Sequence, residues 1–386
     1  MDTDPLPENT DPDPAPDPAG IGIYDRDRAG ADLAADLWFL PSYDVGHDPG
    51  HDLGHDLAPL PHADRRPLIA PADWVAAQAS LSVDLAQVTG LFGMLHERLR
   101  AGPEGWGHRL ALLEAAELSW WAGDRIGAER LALWDALRLT GPQADSQSLL
   151  RAAWALRRLS GGPGPEPEAQ TDTGTTRLAD FFGRHGPEAA APEGVEDLAA
   201  LSASLSALHP VTRSAALFYG WRILAADPQG QSGATRDIEA AVLAARVGGE
   251  TARNMVGAAM AGGPGALFLP LALSGFAPRR DGPVRDRLAV WLRGAAQATQ
   301  AALLHLDRLA AWSVRAGAAL ADQQGRTPAL LIKVLAAWPM VTAPVAEKLT
   351  GAGQATVQRN LARMQARGLI REVTGQGRYR VWTAKL

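Results

Sequence analysis

Residues 350–382 read TGAGQATVQRNLARMQARGLIREVTGQGRYRVW, and this stretch decides how the C-terminal end of the chain folds. Small residues open it and predict a tight turn, and a helix is predicted to follow over Gln354–Arg367. Apolar residues recur in that helix at three- and four-residue spacing, so one face is predicted to be buried: Val357, Leu361 and Met364. Gly368 then supplies the left-handed residue that commonly ends a helix.

Two predicted helices precede this stretch, and a predicted β-hairpin completes it. The first helix opens at Thr327-Pro328 and has an apolar face formed by Leu330, Leu331, Val334 and Leu335. The second spans Ala343–Leu349, with three residues expected to point inward: Val345, Ala346 and Leu349. Strands at 369–374 and 378–382 flank the turn Gly375-Gln376-Gly377. This order predicts a winged helix-turn-helix domain over residues 326–386.

The outward face of the third predicted helix carries amide and guanidinium groups: Gln354, Thr356, Gln358, Arg359 and Arg363. Glutamine and arginine can bind adenine and guanine edges with two hydrogen bonds, and a hydroxyl near a helix N-terminus suits a phosphate. Three further cations are expected to contact the phosphate backbone: Lys348, Arg378 and Arg380. The pattern predicts double-stranded DNA as the partner. The alternative is a protein-binding winged helix whose basic residues are only solvated.

Charge is distributed unevenly along the 386 residues, whose formal net charge is −6. Residues 1–66 hold 15 acidic and 4 basic side chains, whereas residues 325–386 hold 10 basic and 2 acidic ones. The basic end favours a polyanionic partner, and the acidic leader is predicted to compete with DNA for it. The sequence contains no cysteine, which excludes disulfides and thiolate chemistry. Without a signal-like or membrane-spanning stretch, a soluble cytoplasmic protein is predicted.

The leader itself combines two low-complexity patterns. Alternating Asp and Pro in residues 1–20 predict an extended, disordered segment. The triplet Gly-His-Asp then recurs at positions 46, 50 and 54, where histidine and aspartate at fixed spacing are metal-ligand types. Glycine at every fourth position opposes a helix, so a low-complexity loop is the favoured interpretation and no metal site is predicted.

Between the leader and the basic end, the pattern is helical and strand signals are almost absent before residue 370. It predicts a helical domain at 67–160, a linker or long loop at 161–176, and a second helical domain at 177–325. The second domain includes separate helices at Asp237–Val247 and Thr251–Ala261. It ends in one long helix, Val284–Asp322, through which we expect a homodimer to form because winged helices commonly read DNA in pairs. The predicted fold class is mainly α.

One helical stretch gathers groups able to act as acid and base: His108, Glu114, Glu117 and Asp124. The favoured interpretation is structural, with Glu114 and Glu117 forming a polar stripe or pairing internally with Arg109 or Arg125. The neighbouring pair Trp120-Trp121 is interpreted as core and ligand-pocket lining. No Walker loop, nucleophile elbow or dinucleotide fingerprint occurs, so no catalytic residue and no cofactor are predicted, and any small-molecule effector is unidentified.

The chain from about Pro67 to Leu386 resembles an uncharacterised alphaproteobacterial family, common on rhizobial plasmids. In that family a helical domain of unknown function precedes a helix-turn-helix DNA-binding domain, and the resemblance implies the same order here. It is carried by HRLALLEAAELSWWAGDRIGAERLALWDALR (108–138), HPVTRSAALFYGWR (209–222), GALFLPLAL (265–273) and the tail that begins GRTPALLIKVLAAWP.

The tail is also similar to the winged helix that ends many Fic-domain proteins. Fic proteins transfer AMP with a His-Pro-Phe-x-(Asp/Glu)-Gly-Asn-Gly-Arg loop, in which the acidic residue holds magnesium and the glycines cradle phosphate. Here His209-Pro210 is followed by Val-Thr-Arg-Ser-Ala-Ala-Leu, which lacks the acidic ligand and the glycines.

Taken together, these patterns predict a DNA-binding transcriptional regulator. The alternatives are a degenerate or divergent Fic-like enzyme and an interaction scaffold that does not bind DNA.

Overall fold

The computed structural model describes residues 69–137, 143–165, 174–183, 194–225, 233–256, 265–275, 277–278, 281–375 and 380–386. Of these, 73% are helical, which confirms the predicted mainly α fold class. The acidic leader, the Gly-His-Asp triplets and Arg378 lie outside the described residues. The predicted domain boundaries stay predictions.

Thirteen helices and three short strands make up the described parts of the chain. The first ten helices are α1 (Pro71–Ser80), α2 (Ser82–Ala101), α3 (Gly105–Trp121), α4 (Ala128–Leu137), α5 (Gln143–Ser160), α6 (Gly174–Phe182), α7 (Val195–Ser204), α8 (Pro210–Leu224), α9 (Gly233–Val256) and α10 (Val284–Ala319). The remaining elements are α11 (Thr327–Ala337), β1 (Val341–Thr342), α12 (Ala343–Thr350), α13 (Gln354–Ala366), β2 (Ile370–Glu372) and β3 (Val381–Ala384).

We use two names below. The helical body is the described part of residues 69–325, and the C-terminal module is the described part of residues 326–386. One apolar core runs through the helical body and is built from residues of α1 to α10. At its centre α8 packs along α9, and α8 is buried at every position from Pro210 to Trp221. A helix buried on all sides has no separate solvent-facing side.

The predicted break between Asp237–Val247 and Thr251–Ala261 is wrong, because α9 continues through Gly248 and Gly249. These two glycines allow another segment of the chain to pack closely against α9. A methyl group on Gly249 would lie 2.8 Å from the carbonyl carbon of Leu267, and one on Gly248 would lie 2.8 Å from the Leu269 side chain. The Leu269 N–H also donates to the Ala245 carbonyl at 2.8 Å. The glycine pair thus lets the chain segment at 265–273 lie directly on α9.

The long helix α10 joins the body to the module. Its residues from Leu288 to Leu309 belong to the body core, whereas Trp312, Ala316 and Leu320 at its end belong to a second core. The Trp312 indole N–H donates to the Leu369 carbonyl at 2.8 Å. The helix ends at Ala319, three residues before the predicted end.

In the module, three helices pack against a small antiparallel sheet with strand order β1-β3-β2. Val341 pairs with Trp382, and Ile370 pairs with Ala384. The second core closes beneath this sheet and contains Leu331, Leu335, Val357, Leu361 and Met364, among others.

The predicted inward face of α12 is partly wrong. Ala346 is buried, but Val345 and Leu349 are 40% and 46% exposed. The helix has only eight residues, and Thr350 takes the last inward position by donating its hydroxyl to the Ala346 carbonyl at 2.6 Å.

Candidate nucleic-acid interface

Helix α13 separates its apolar and polar residues onto two faces. Val357, Leu361 and Met364 are buried in the module core, as the spacing predicts. Three of the residues expected to read base edges are exposed to solvent: Gln354, Gln358 and Arg359. The helical body therefore leaves this polar face open to solvent.

The N-terminus of α13 begins after Gly353, whose extended backbone makes no side-chain cap. Thr356 is half-buried one turn into the helix, and its carbonyl accepts a hydrogen bond from the Asn360 side chain at 2.8 Å. The first backbone N–H groups of a helix carry partial positive charge, so this end suits a phosphate oxygen. Lys348 is exposed on the preceding helix α12.

Arginines near the C-terminal end of α13 are turned toward the end of α10. Arg363 donates through Nη1 to the Gln323 side-chain oxygen at 2.7 Å. Arg367 binds both carboxylate oxygens of Asp322, at 2.8 and 2.7 Å, and also donates to the Ala319 carbonyl. The hydrogen bonds from Arg367 hold the pKa of Asp322 well below its usual range. Arg367, the residue directly after α13, was not among the predicted site residues.

A carboxylate organises the chain where it leaves β2. Glu372 accepts hydrogen bonds from the backbone N–H groups of Thr374 and Gly375, both at 2.8 Å, and from the Thr374 hydroxyl. These bonds outweigh the opposing effect of partial desolvation and lower the pKa of Glu372. Arg380, immediately before β3, is exposed. The predicted strand over 378–382 starts later, at Val381.

The module is attached to the body through the C-terminal end of α11. Arg109 on α3 donates through Nη2 to the carbonyls of Leu335 and Trp338, at 2.9 and 2.6 Å. These carbonyls have no partner inside the helix, so a buried guanidinium satisfies them well. Burial lowers the pKa of Arg109 to about 10. Gly105 allows the close approach, since a methyl group there would lie 2.5 Å from the Ala337 carbonyl oxygen.

The internal pairing proposed for Glu114 is wrong. Glu114 is fully buried, and its Oε1 accepts from the backbone N–H groups of Leu271 and Ala272 at 2.7 and 2.9 Å. Its Oε2 has no hydrogen-bond partner among the described residues. Desolvation raises the pKa of Glu114 to about 7. The spacing of the sequence gave no sign that the segment at 265–273 lies beside this carboxylate.

Asp124 and His108 bind partners other than Glu114. Asp124 binds Arg151 through two bonds, at 2.8 and 2.7 Å, and also accepts from Ser148. His108 lies 3.0 Å from an Asp135 oxygen and contacts the Trp338 ring with 5.6 Å between centroids. Partial burial raises the pKa of Glu117. Asp124 and His108 thus have structural contacts of their own.

The tryptophan pair divides between surface and cleft. Trp120 is 53% exposed, with the Arg125 guanidinium 6.0 Å from its ring centre, so its assignment to the core is wrong. Trp121 is half-buried and packs edge-on against Phe218. Consecutive helical residues point about 100° apart, so only one of the two can face the core.

The segment that begins with His209-Pro210 has no phosphate-binding loop. His209 is the residue before α8, and its Nδ1 accepts from the Val211 N–H at 3.2 Å. Thr212, Arg213 and Ser214 follow as buried helical residues, and Arg213 forms a buried ion pair with Glu250. Burial lowers the pKa of His209. A helix occupies the place of the glycine-rich loop that AMP transfer requires.

Comparison with protein-family models and with curated proteins gave no match to the chain. Within the described residues, no group of three or more His, Asp or Glu side chains is placed to hold a metal ion. None of the described helices combines the length and apolar character needed to cross a bilayer.

Proposed function

We propose that the C-terminal module is a winged helix that binds double-stranded DNA, and that the protein is a transcriptional regulator. The observation that carries this proposal is the exposed polar face of α13, which presents Gln354, Gln358 and Arg359. These side chains match the hydrogen-bonding edges of bases in the major groove.

Two further features support the proposal. The order of elements (α11, β1, α12, α13, β2, β3) and the sheet order β1-β3-β2 agree with what a winged helix requires. Residues 325–386 also carry 10 basic and 2 acidic side chains, which favours a phosphate backbone as partner. Lys348 is exposed on α12, and Arg380 is exposed immediately before β3. Both are expected to contact the phosphate backbone of the DNA.

The experiment is a fluorescence-anisotropy titration of the full chain with a duplex of mixed sequence, at several salt concentrations. The affinity is expected to fall steeply with salt, with a slope of about −0.9 for each phosphate neutralised. Arg359→Ala is expected to weaken binding by about 1–3 kcal/mol. The matched control is Arg293→Ala, an exposed arginine on the body half of α10, which should leave the affinity unchanged.

Selection of genomic fragments by the full chain then tests sequence preference. A Gln354→Ala/Gln358→Ala variant is expected to keep the salt-dependent binding and lose discrimination between fragments. If the wild-type chain binds no duplex at low salt, the module is a protein-binding or purely structural domain instead. We also propose that α10 mediates a homodimer, which sedimentation equilibrium measures directly.

A further inference from the structure

The α3–α4 turn (residues 122–127) carries an exposed arginine that lies over an exposed tryptophan of α3. Trp120, one residue before the end of α3, is 53% exposed. The guanidinium carbon of Arg125 lies 6.0 Å from the centre of the Trp120 ring. Arg125 makes neither a hydrogen bond nor an ion pair with any residue that the structure describes. Its charge is therefore available to a partner, and the flat indole surface supports its guanidinium.

The backbone at Arg125 has an unfavourable conformation. Its φ is 52°, and no other described residue except glycine has a positive φ. Residues with a side chain rarely adopt this left-handed conformation, whereas glycine adopts it freely. Strained residues of this kind concentrate at binding and catalytic sites. Because glycine would suit the backbone better, the arginine side chain at this position points to a binding role.

Hydrogen bonds on both sides of Arg125 fix the turn. Before it, the Asp124 carboxylate binds Arg151 at 2.8 and 2.7 Å. The Asp124 N–H also donates to the Ser119 carbonyl at 2.9 Å. After it, the Ile126 N–H donates to the buried Ser119 hydroxyl at 3.0 Å. Arg125 thus extends from a rigid frame, which lowers the entropy cost of binding through this side chain.

The α3–α4 turn lies close to the C-terminal module. Glu129, in the first turn of α4, pairs with Arg371 on β2 at 2.8 Å. Arg125 precedes Glu129 by four residues, so their Cα atoms are at most about 14 Å apart. The chain of β2 continues directly into the predicted wing. Arg125 is therefore near the base of that wing.

The charges around Arg125 favour an anionic partner. Residues 122–129 contain two carboxylates, Asp124 and Glu129, and each is already paired with an arginine. Neither of them offsets the charge of Arg125. A surface of this kind attracts a polyanion, and the proposed DNA-binding module lies next to it.

We infer that Arg125 binds a phosphate of the DNA duplex that the module holds, so that the duplex contacts the helical body as well. Trp120 is a positioning residue, which orients the Arg125 guanidinium and does not itself recognise DNA. This inference rests on the proposed DNA binding and extends the contact surface beyond the module.

The test is a fluorescence-anisotropy titration of the full chain with the mixed-sequence duplex, at several salt concentrations. Arg125→Gly removes the cation and relieves the strained backbone, so the variant should stay folded. It should weaken binding by about tenfold at about 100 mM salt, and it should make the salt slope shallower by about 0.9. Arg125→Lys should restore most of the affinity, because a lysine also neutralises one phosphate.

Variants of Trp120 test the positioning role. Trp120→Ala should weaken binding by about threefold in the wild-type background. It should have no effect in the Arg125→Gly background, because it acts only through that guanidinium. Trp120→Phe keeps an aromatic ring and should bind DNA as wild type does. The matched control is Arg293→Ala, the exposed arginine on α10, which should change neither the affinity nor the salt slope.

The outcomes separate this inference from the proposed function. Unchanged affinity and salt slope in Arg125→Gly overturn the inference. If Arg359→Ala still weakens binding in that case, the proposed function stands and the duplex does not reach the body. If wild type binds no duplex at low salt, the proposed function fails and the inference fails with it. Unchanged DNA affinity combined with a lower mass of Arg125→Gly in sedimentation equilibrium assigns the turn to a contact between copies of the chain, which also overturns the inference.

Discussion

Helices α8 and α13 use the same residue types in opposite ways. In α8, arginine lies inside the body core, where Arg213 pairs with Glu250 and all residues from Pro210 to Trp221 are buried. In α13 only Val357, Leu361 and Met364 are buried, and Arg359 faces solvent. The comparison teaches that a charge buried in the body core holds the fold together, whereas the exposed charge of Arg359 remains available for a partner.

The largest expected effect separates these two arginines. Arg213→Ala should lower the free energy of unfolding by about 4 kcal/mol, because it breaks the buried ion pair with Glu250. Arg359→Ala should change it by less than about 0.5 kcal/mol, since the side chain is exposed. Urea unfolding followed by circular dichroism measures both. Equal effects in the two variants contradict the comparison.

Glu114 extends the comparison to pH. Desolvation raises the pKa of Glu114 from 4.5 to about 7 in the folded protein. Between pH 4.5 and pH 7 the folded state therefore keeps a proton that the unfolded chain has already released. The protonated Glu114 carboxyl contributes its full stability below pH 4.5, and this contribution is lost as the pH rises through 7. The loss is about 3 kcal/mol.

The measurement is urea unfolding of wild type and Glu114→Gln between pH 5 and pH 8. Glutamine cannot release the proton, so the variant should lack this part of the pH dependence and gain on wild type as the pH rises. The difference between the two proteins removes the contributions of the histidines. Parallel pH profiles show that Glu114 is charged throughout.

The packing role of glycine in the body can be tested by comparing a tightly packed glycine, Gly249, with one that has free space around it, Gly90. Gly249→Ala should cost about 2 kcal/mol, because the new methyl group overlaps the Leu267 carbonyl. Gly90→Ala on α2 should stabilise by about 0.5–1 kcal/mol, since nothing lies within 4 Å of the added atom and alanine favours the helix. Stabilisation by both substitutions means that the 265–273 segment can move away from α9.

The sequence predicts the fold where local spacing decides the structure, and it fails where a long-range contact decides it. Helix α13 is short and amphipathic, so spacing alone places Val357, Leu361 and Met364 in the core. The same reasoning misplaces Val345 and Leu349 of α12. In the body, α9 is predicted as two helices because Gly248-Gly249 is typical of a break, and only the long-range contact with Leu267 and Leu269 explains the pair.

The candidate site is predictable to a similar extent. The exposure of Gln358 and Arg359 follows from the helical period of α13. Gln354 lies seven residues before the buried Leu361 and is exposed as the first residue of the helix, which the period alone does not predict. The bonds from Arg109 to α11 join residues more than 200 positions apart, and no local pattern encodes them. The same holds for Trp121 and Phe218, whose rings meet only when α3 and α8 pack together.

The smallest expected effect lies at the contact between body and module. Arg371 on β2 pairs with Glu129 on α4 at 2.8 Å, and the side chains are 52% and 46% exposed. Arg371→Ala should lower the free energy of unfolding by less than about 0.5 kcal/mol, because solvent and salt screen an exposed pair. The buried bonds of Arg109 at the same contact have no such screening, since charged hydrogen bonds in the interior contribute about 1.5–3 kcal/mol each. Urea unfolding of Arg371→Ala beside Arg109→Ala measures this contrast. A larger loss in Arg371→Ala means that the module is held from its surface, and that α3 does not support it.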